Sequence, residues 1–127
     1  MIELMGGGRG CVLIVDDDYD IRALITQILQ LEGYRVLSAP DGRAALAKLR
    51  GGEERPNLIL LDLMMPGMNG WQLQEELIKD PALAAIPVLV LSGDDDVVHK
   101  AGEIGAAGWL KKPLDLKVLL KTVGKYC

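Results

Sequence analysis

The feature that most constrains this chain is a repeated change of period. Short, unbroken apolar runs alternate with stretches in which apolar residues recur every three or four positions. The first run is Cys11-Val-Leu-Ile-Val15. Five consecutive apolar residues, several of them β-branched, suit a strand covered on both faces, the situation in a parallel sheet with helices above and below. The run stops at Asp16-Asp17-Asp18, after which Ile21, Leu24, Ile25, Ile28 and Leu31 trace one face of a helix ending at Gly33.

The alternation continues to the end of the chain. Arg35–Ser38 reads as a strand, Asp41–Leu49 as a helix, and Gly51-Gly52 through Pro56 as a loop. A third strand, Asn57–Leu61, ends at Asp62; a loop with Pro66, Gly67 and Gly70 leads into a helix over Trp71–Lys79. Pro87–Leu91 is the fourth strand, ending in Ser92-Gly93, and a polar helix follows over Asp95–Ile104. Gly108–Leu110 is a brief fifth strand, then come Lys111-Lys112-Pro113 and a last helix carrying Leu116, Leu119, Leu120 and Val123. Five strands alternating with five helices predict a doubly wound α/β domain with a parallel sheet, each crossover right-handed. A length of 127 residues suits one domain, here residues 11–127. Residues 1–10, with three consecutive glycines, read as a flexible leader or cloning remnant.

Composition narrows the partners. Fourteen Lys and Arg stand against eighteen Asp and Glu, a formal charge of −4 with no basic run, which argues against nucleic acid or an anionic membrane as a direct partner. No apolar run approaches the roughly 20 residues of a membrane span, and the N-terminus lacks a signal-peptide core, so a cytoplasmic protein is expected. Two cysteines and one histidine support neither a disulfide framework nor a zinc site. Phe is absent, so the core is aliphatic.

In open α/β sheets ligands bind beyond the carboxyl ends of the strands. The residues there are Asp16 and Asp17 after the first strand, Asp62 after the third, Ser92 after the fourth and Lys112 after the fifth. Singly, each has an ordinary role open to it: acids capping a helix, a turn aspartate, a capping serine, a solvated lysine. Jointly they put three carboxylates, a hydroxyl and an ammonium in one cleft. Three carboxylates repel unless a cation sits among them, and a hard oxygen set suits Mg²⁺, with Mn²⁺ able to substitute. Cation, ammonium and hydroxyl would surround a phosphoryl group, with one carboxylate as nucleophile. Setting the three acids aside leaves fifteen acids against fourteen bases, so the acid excess belongs to this cleft.

Val12–Asp18, Leu60–Gly70, Val88–Gly93 and Gly108–Pro113, in that order, closely resemble the motifs of the receiver (phosphoacceptor) domain of two-component response regulators. The resemblance covers about residues 11–124 and implies a flavodoxin-like sheet of order 2-1-3-4-5. It further implies Asp62 as phosphoacceptor and Asp16, Asp17 and Asp62 as metal ligands together with the backbone carbonyl of Met64. Asp17 would be the more direct ligand of the acid pair. Ser92 is the switching hydroxyl, Lys112 the ion-pairing lysine beside a commonly cis bond to Pro113, and Lys111 its exposed neighbour. Met64 and Asp94 take positions that tune the phosphoryl lifetime. The implied partners are a sensor histidine kinase or phosphotransfer protein and a downstream protein target, with homodimerisation through the fourth and fifth helices a family habit. Such a domain is no conventional turnover enzyme but catalyses its own phosphorylation and dephosphorylation, shifting a surface around the fourth helix and fifth strand. Trp109 stands where the family usually has Tyr or Phe as aromatic switch, and Leu114 where Phe is common.

Other readings fit less well. A phosphatase resembling the haloacid dehalogenase type would use Asp16 as nucleophile and Asp18 as general acid, but needs an acidic pair after Lys112, where only Asp115 remains. A calcium loop over Asp16, Asp18 and Asp20 has Ile21 where Gly is required and Gln27 where Glu is required. A receiver-like module that is never phosphorylated leaves the complete residue set without a use. Asp94-Asp95-Asp96 reads as the acidic cap of its helix, with Val97, Val98 and the solvated His99 beyond it.

Overall fold

The computed structural model describes residues 9–52 and 54–127. Its strands are β1 (Cys11–Val15), β2 (Arg35–Ala39), β3 (Leu58–Asp62), β4 (Val88–Ser92) and β5 (Gly108–Lys111), all parallel, in the order β2-β1-β3-β4-β5. The helices are α1 (Tyr19–Leu31), α2 (Gly42–Gly51), α3 (Gly70–Lys79), α4 (Pro81–Ala84), α5 (Val97–Glu103) and α6 (Leu116–Gly124). The sheet is the one expected; the helices among the described residues number six, not five. The addition is α4, a single turn nucleated by Asp80, whose Oδ1 accepts the Ala82 N–H, with Pro81 at the first helical position. Four residues carry no periodicity, so sequence alone leaves this turn hidden. The helix expected as the fourth is therefore α5, and the fifth is α6.

Strand alternation divides the core into two. Leu13, Val15, Ile59, Leu61, Val88 and Val90 point to the face covered by α2, α3 and α5, where they meet Leu46, Leu73, Leu77 and Ala101. Val12, Ile14, Leu58, Leu60, Leu89 and Leu91 point to the other, against Ile25 and Leu29 of α1 and Leu119 and Val123 of α6. The central strands β1, β3 and β4 are buried along their whole length, which is why their sequences are unbroken apolar runs. The edge strands β2 and β5 are half-exposed and correspondingly mixed.

Most helices begin as their sequences imply. Asp18 accepts from the N–H groups of Asp20 and Ile21, Asp41 from Ala44, and Asp115 from Lys117 and Val118; Asn69 and Gln72 form a capping box on α3. The acidic run before α5 departs from expectation: Asp96 makes no side-chain cap, and Asp94 and Asp95 pair instead with Lys100 and Lys111. Residues 1–8 of the expected leader lie outside the described residues. Gly10, with φ 113°, is joined to the sheet through its carbonyl, which accepts the Arg35 N–H at 2.8 Å.

Two glycines hold the loop between β3 and α3. The Gly70 N–H donates to Leu63 O at 3.1 Å and the Gly42 N–H to Met68 O at 3.2 Å. A Cβ on Gly70 would stand 2.8 Å from Leu63 Cα, and one on Gly42 2.9 Å from Met68 O. No helix among the described residues is long and apolar enough to cross a membrane.

Candidate functional site

Three polar side chains are buried among the described residues: Asp16 at 0 %, Asp62 at 7 % and Ser92 at 4 % exposure. They belong to the C-terminal ends of the three central strands, Asp62 and Ser92 as last strand residues and Asp16 as the residue after β1. Burying an unpaired carboxylate is costly, so their concentration at one sheet end calls for a compensating charge. Lys112, immediately after β5, supplies one. Its ammonium lies 2.8 Å from Asp16 Oδ2 and 3.8 Å from Asp62 Oδ2, while its backbone N–H donates to Ser92 O at 2.8 Å. Lys111, the last residue of β5, turns the other way and pairs with Asp95. The Lys112–Pro113 peptide bond is cis.

The two acids after β1 divide their work. Asp16 has both oxygens engaged, Oδ1 by the Asp18 N–H at 2.9 Å and Oδ2 by Lys112. Asp17 is exposed at the mouth. Ligand oxygens of Asp16, Asp17 and Asp62 lie within 4.8 Å of one another. One lysine does not balance three carboxylates. Burial, with the Asp16 charge next, pushes the Asp62 carboxyl up from 3.8 to about 7, against the pull of Lys112 and of the Met64 N–H, which donates to Asp62 Oδ1 at 3.1 Å. Burial pulls Lys112 down, yet the Asp16 bond and the Asp62 charge outweigh it and hold the ammonium above its ordinary value. A divalent cation would relieve the repulsion, and a hard oxygen set of this spacing fits one.

The remaining expected residues flank this centre. Ser92 Oγ accepts the Asp94 N–H at 3.1 Å. The Met64 side chain is 65 % exposed, so it lies outside the cleft while its amide lines Asp62. Trp109, on edge strand β5, is 44 % exposed beside a groove of about 300 Å³ that it shares with Pro113, Leu114 and Val118. Leu114 packs against the α1–α6 core. His99 faces Glu103 one turn on, in the open.

Two contacts have no sequence signal. Arg22 Nη1 donates to the Asp16 carbonyl at 2.7 Å, bracing the turn that carries the acids. Lys100 reaches back to Asp94 Oδ2 at 2.5 Å. Both span six positions, a spacing that belongs to no helical or strand repeat.

A model of the response regulator receiver domain matches residues 12–124. The chain is similar to Protein PilH of Pseudomonas aeruginosa, 38 % identical over 114 residues that make up 88 % of this chain and 93 % of PilH. Its fold is similar to that of the Vibrio cholerae chemotaxis protein CheY4, with TM-score 0.84 and 34 % identity over 94 % of this chain and all of that one. The Mn²⁺-bound form of response regulator Rcp1 matches with TM-score 0.74 and 32 % identity over 91 % of this chain and 90 % of the other.

Proposed function

We propose, from the premise that this chain belongs to the response regulator receiver domain family, that its acidic cleft is a phosphorylation switch with Asp62 as the phosphoacceptor. One observation carries the assignment. The three buried polar side chains among the described residues, Asp16, Asp62 and Ser92, stand at adjacent strand ends with Lys112 against them. Packing gives no reason for that concentration; phosphoryl chemistry does.

An oxygen of Asp62 forms the bond to phosphorus as the bond between phosphorus and the donor breaks, the electron pair leaving with the donor. Asp16, Asp17, Asp62 and the Met64 carbonyl would hold Mg²⁺, or Mn²⁺ in its place. The cation neutralises carboxylate and phosphoryl charge. Lys112, already against Asp16 and Asp62, stands ready to pair with a phosphoryl oxygen. Ser92 would exchange the Asp94 amide for the phosphoryl group, and Trp109 on the edge strand would register the change in the face built from α5 and β5.

The donor in this reading is a sensor histidine kinase or phosphotransfer protein. The output is a protein target met at the α5–β5 face, a homodimer through α5 and α6 being one form of it. Met64 and Asp94 tune how long the phosphoryl group stays, and the domain catalyses its own phosphorylation and hydrolysis. The setting is cytoplasmic. Incubation with ³²P-labelled acetyl phosphate and Mg²⁺, followed by mapping of the labelled peptide, tests the assignment. Label on Asp62, lost in Asp62→Asn, is expected; label on Asp16 overturns it and favours the phosphatase chemistry.

A further inference from the structure

The Asp94 carboxylate is held more firmly than a loop residue of its exposure requires. Its Oδ2 meets the Lys100 ammonium at 2.5 Å, its Oδ1 accepts the Asp96 N–H at 2.8 Å, and its own N–H donates to Ser92 Oγ at 3.1 Å. Lys100 in turn lies 6.0 Å from the centroid of the Trp71 ring, at the start of α3, and keeps only 23 % of its side chain exposed. Its ammonium thus has both a carboxylate and an aromatic ring as neighbours, an arrangement that favours the charged form. The hydrogen bond to Lys100 keeps Asp94 ionised below its ordinary range, and the same bond raises Lys100.

That pair tethers the residue joined to the Ser92 hydroxyl to a helix on the far side of the loop. A loose carboxylate two positions past Ser92 would act in two ways on a phosphoryl group at Asp62. It would repel the dianion, and it would accept a proton from a water attacking phosphorus. We propose that Lys100 is a positioning residue that prolongs the aspartyl phosphate by holding the Asp94 carboxylate in the ion pair, with the Trp71 ring seating the ammonium. This rests on Asp62 being the phosphoacceptor.

In the reaction that the pair restrains, a water oxygen bonds to phosphorus as the bond from phosphorus to the Asp62 oxygen breaks. Inorganic phosphate departs, Asp62 regains its carboxylate, and the water proton passes to Asp94. With Lys100 in place, both Asp94 oxygens are occupied and the proton acceptor is withdrawn.

The test follows release of label from protein phosphorylated with ³²P-labelled acetyl phosphate and Mg²⁺ after the donor is removed. Lys100→Ala is expected to shorten the lifetime about three- to tenfold, a small part of what a well-placed general base achieves. Lys100→Arg, which keeps the charge, restores the lifetime to within twofold of the wild type. In an Asp94→Asn background, Lys100→Ala changes the lifetime by less than twofold, which a merely structural contribution of Lys100 would not produce. An unchanged or longer lifetime in Lys100→Ala overturns the role of Lys100, as does a shortening that persists in the Asp94→Asn background. A wild-type protein that takes no label on Asp62 overturns the phosphoacceptor reading itself, so the two failures are distinguishable. An ion pair at the protein surface adds little to stability, so the variants are expected to fold.

Discussion

Asp62→Asn is expected to stabilise the protein in the absence of divalent cations, and to do so only where Asp62 would carry charge. The carboxyl titrates at about 7 instead of 3.8 because it is buried and faces Asp16. In the window between those values the unfolded chain is ionised while the folded one keeps the proton, so native stability falls as pH rises from 3.8 to about 7 and is level above it. The shift corresponds to a ceiling of about 4 kcal/mol at about 1.4 kcal/mol per unit. That ceiling already includes the opposing attraction of Lys112, 3.8 Å away, but the asparagine amide can place an N–H donor where Asp62 Oδ2 faces the ammonium, which offsets part of the gain. A net gain of about 1–3 kcal/mol at pH 8 remains, or about 4–10 °C in Tm for a chain of this size. Thermal unfolding in chelator at pH 8 and at pH 4.5 measures it. Most of the gain should vanish at pH 4.5, where wild-type Asp62 is itself neutral, and added Mg²⁺ at pH 8 should raise the wild type more than the variant. A variant no more stable than the wild type at pH 8, or equally stabilised at both pH values, would refute the electrostatic account of the cleft.

Two further outcomes follow from the same geometry. Lys112→Ala removes the cation at 2.8 Å from a fully buried Asp16 and should cost about 2–4 kcal/mol in urea unfolding, partly recovered by Mg²⁺. Gly70→Ala forces a Cβ to within 2.8 Å of Leu63 Cα and should cost about 1–3 kcal/mol while shifting amide resonances of Asp62 and Leu63; wild-type stability with an unperturbed spectrum would refute the close approach.

Burial decides what can be read from sequence. Strands β1, β3 and β4 announce themselves because both their faces are covered, and a short unbroken apolar run bounded by polar residues suits little besides a strand in that position. The acids and the serine stand out because a buried run ends on them abruptly. Edge strand β5 is different. Only Leu110 of its four residues is buried, so its place in the sequence rests on the Lys-Lys-Pro that follows. The turn at Pro81–Ala84 is too short for any period to show. The acidic run at 94–96 reads as a cap because acids favour helix N-termini, but Asp96 makes no cap bond, Asp95 pairs with Lys111, and Asp94 divides its oxygens between the Asp96 N–H and Lys100. Partners brought together by folding, such as Arg22 with the Asp16 carbonyl, leave no periodic trace.

The Asp16–Lys112 contact joins residues 96 positions apart. A chain still being synthesised has made all three acids long before it makes the lysine, and until β5 docks the cleft is a cluster of negative charge without its counter-ion. On the proposed phosphoryl chemistry, a truncated or half-folded product therefore lacks the ammonium that lies against Asp16 and Asp62. On that reading, the cleft's charge balance is complete only when the last strand has docked, so a contact between two residues ties the site to completion of the fold.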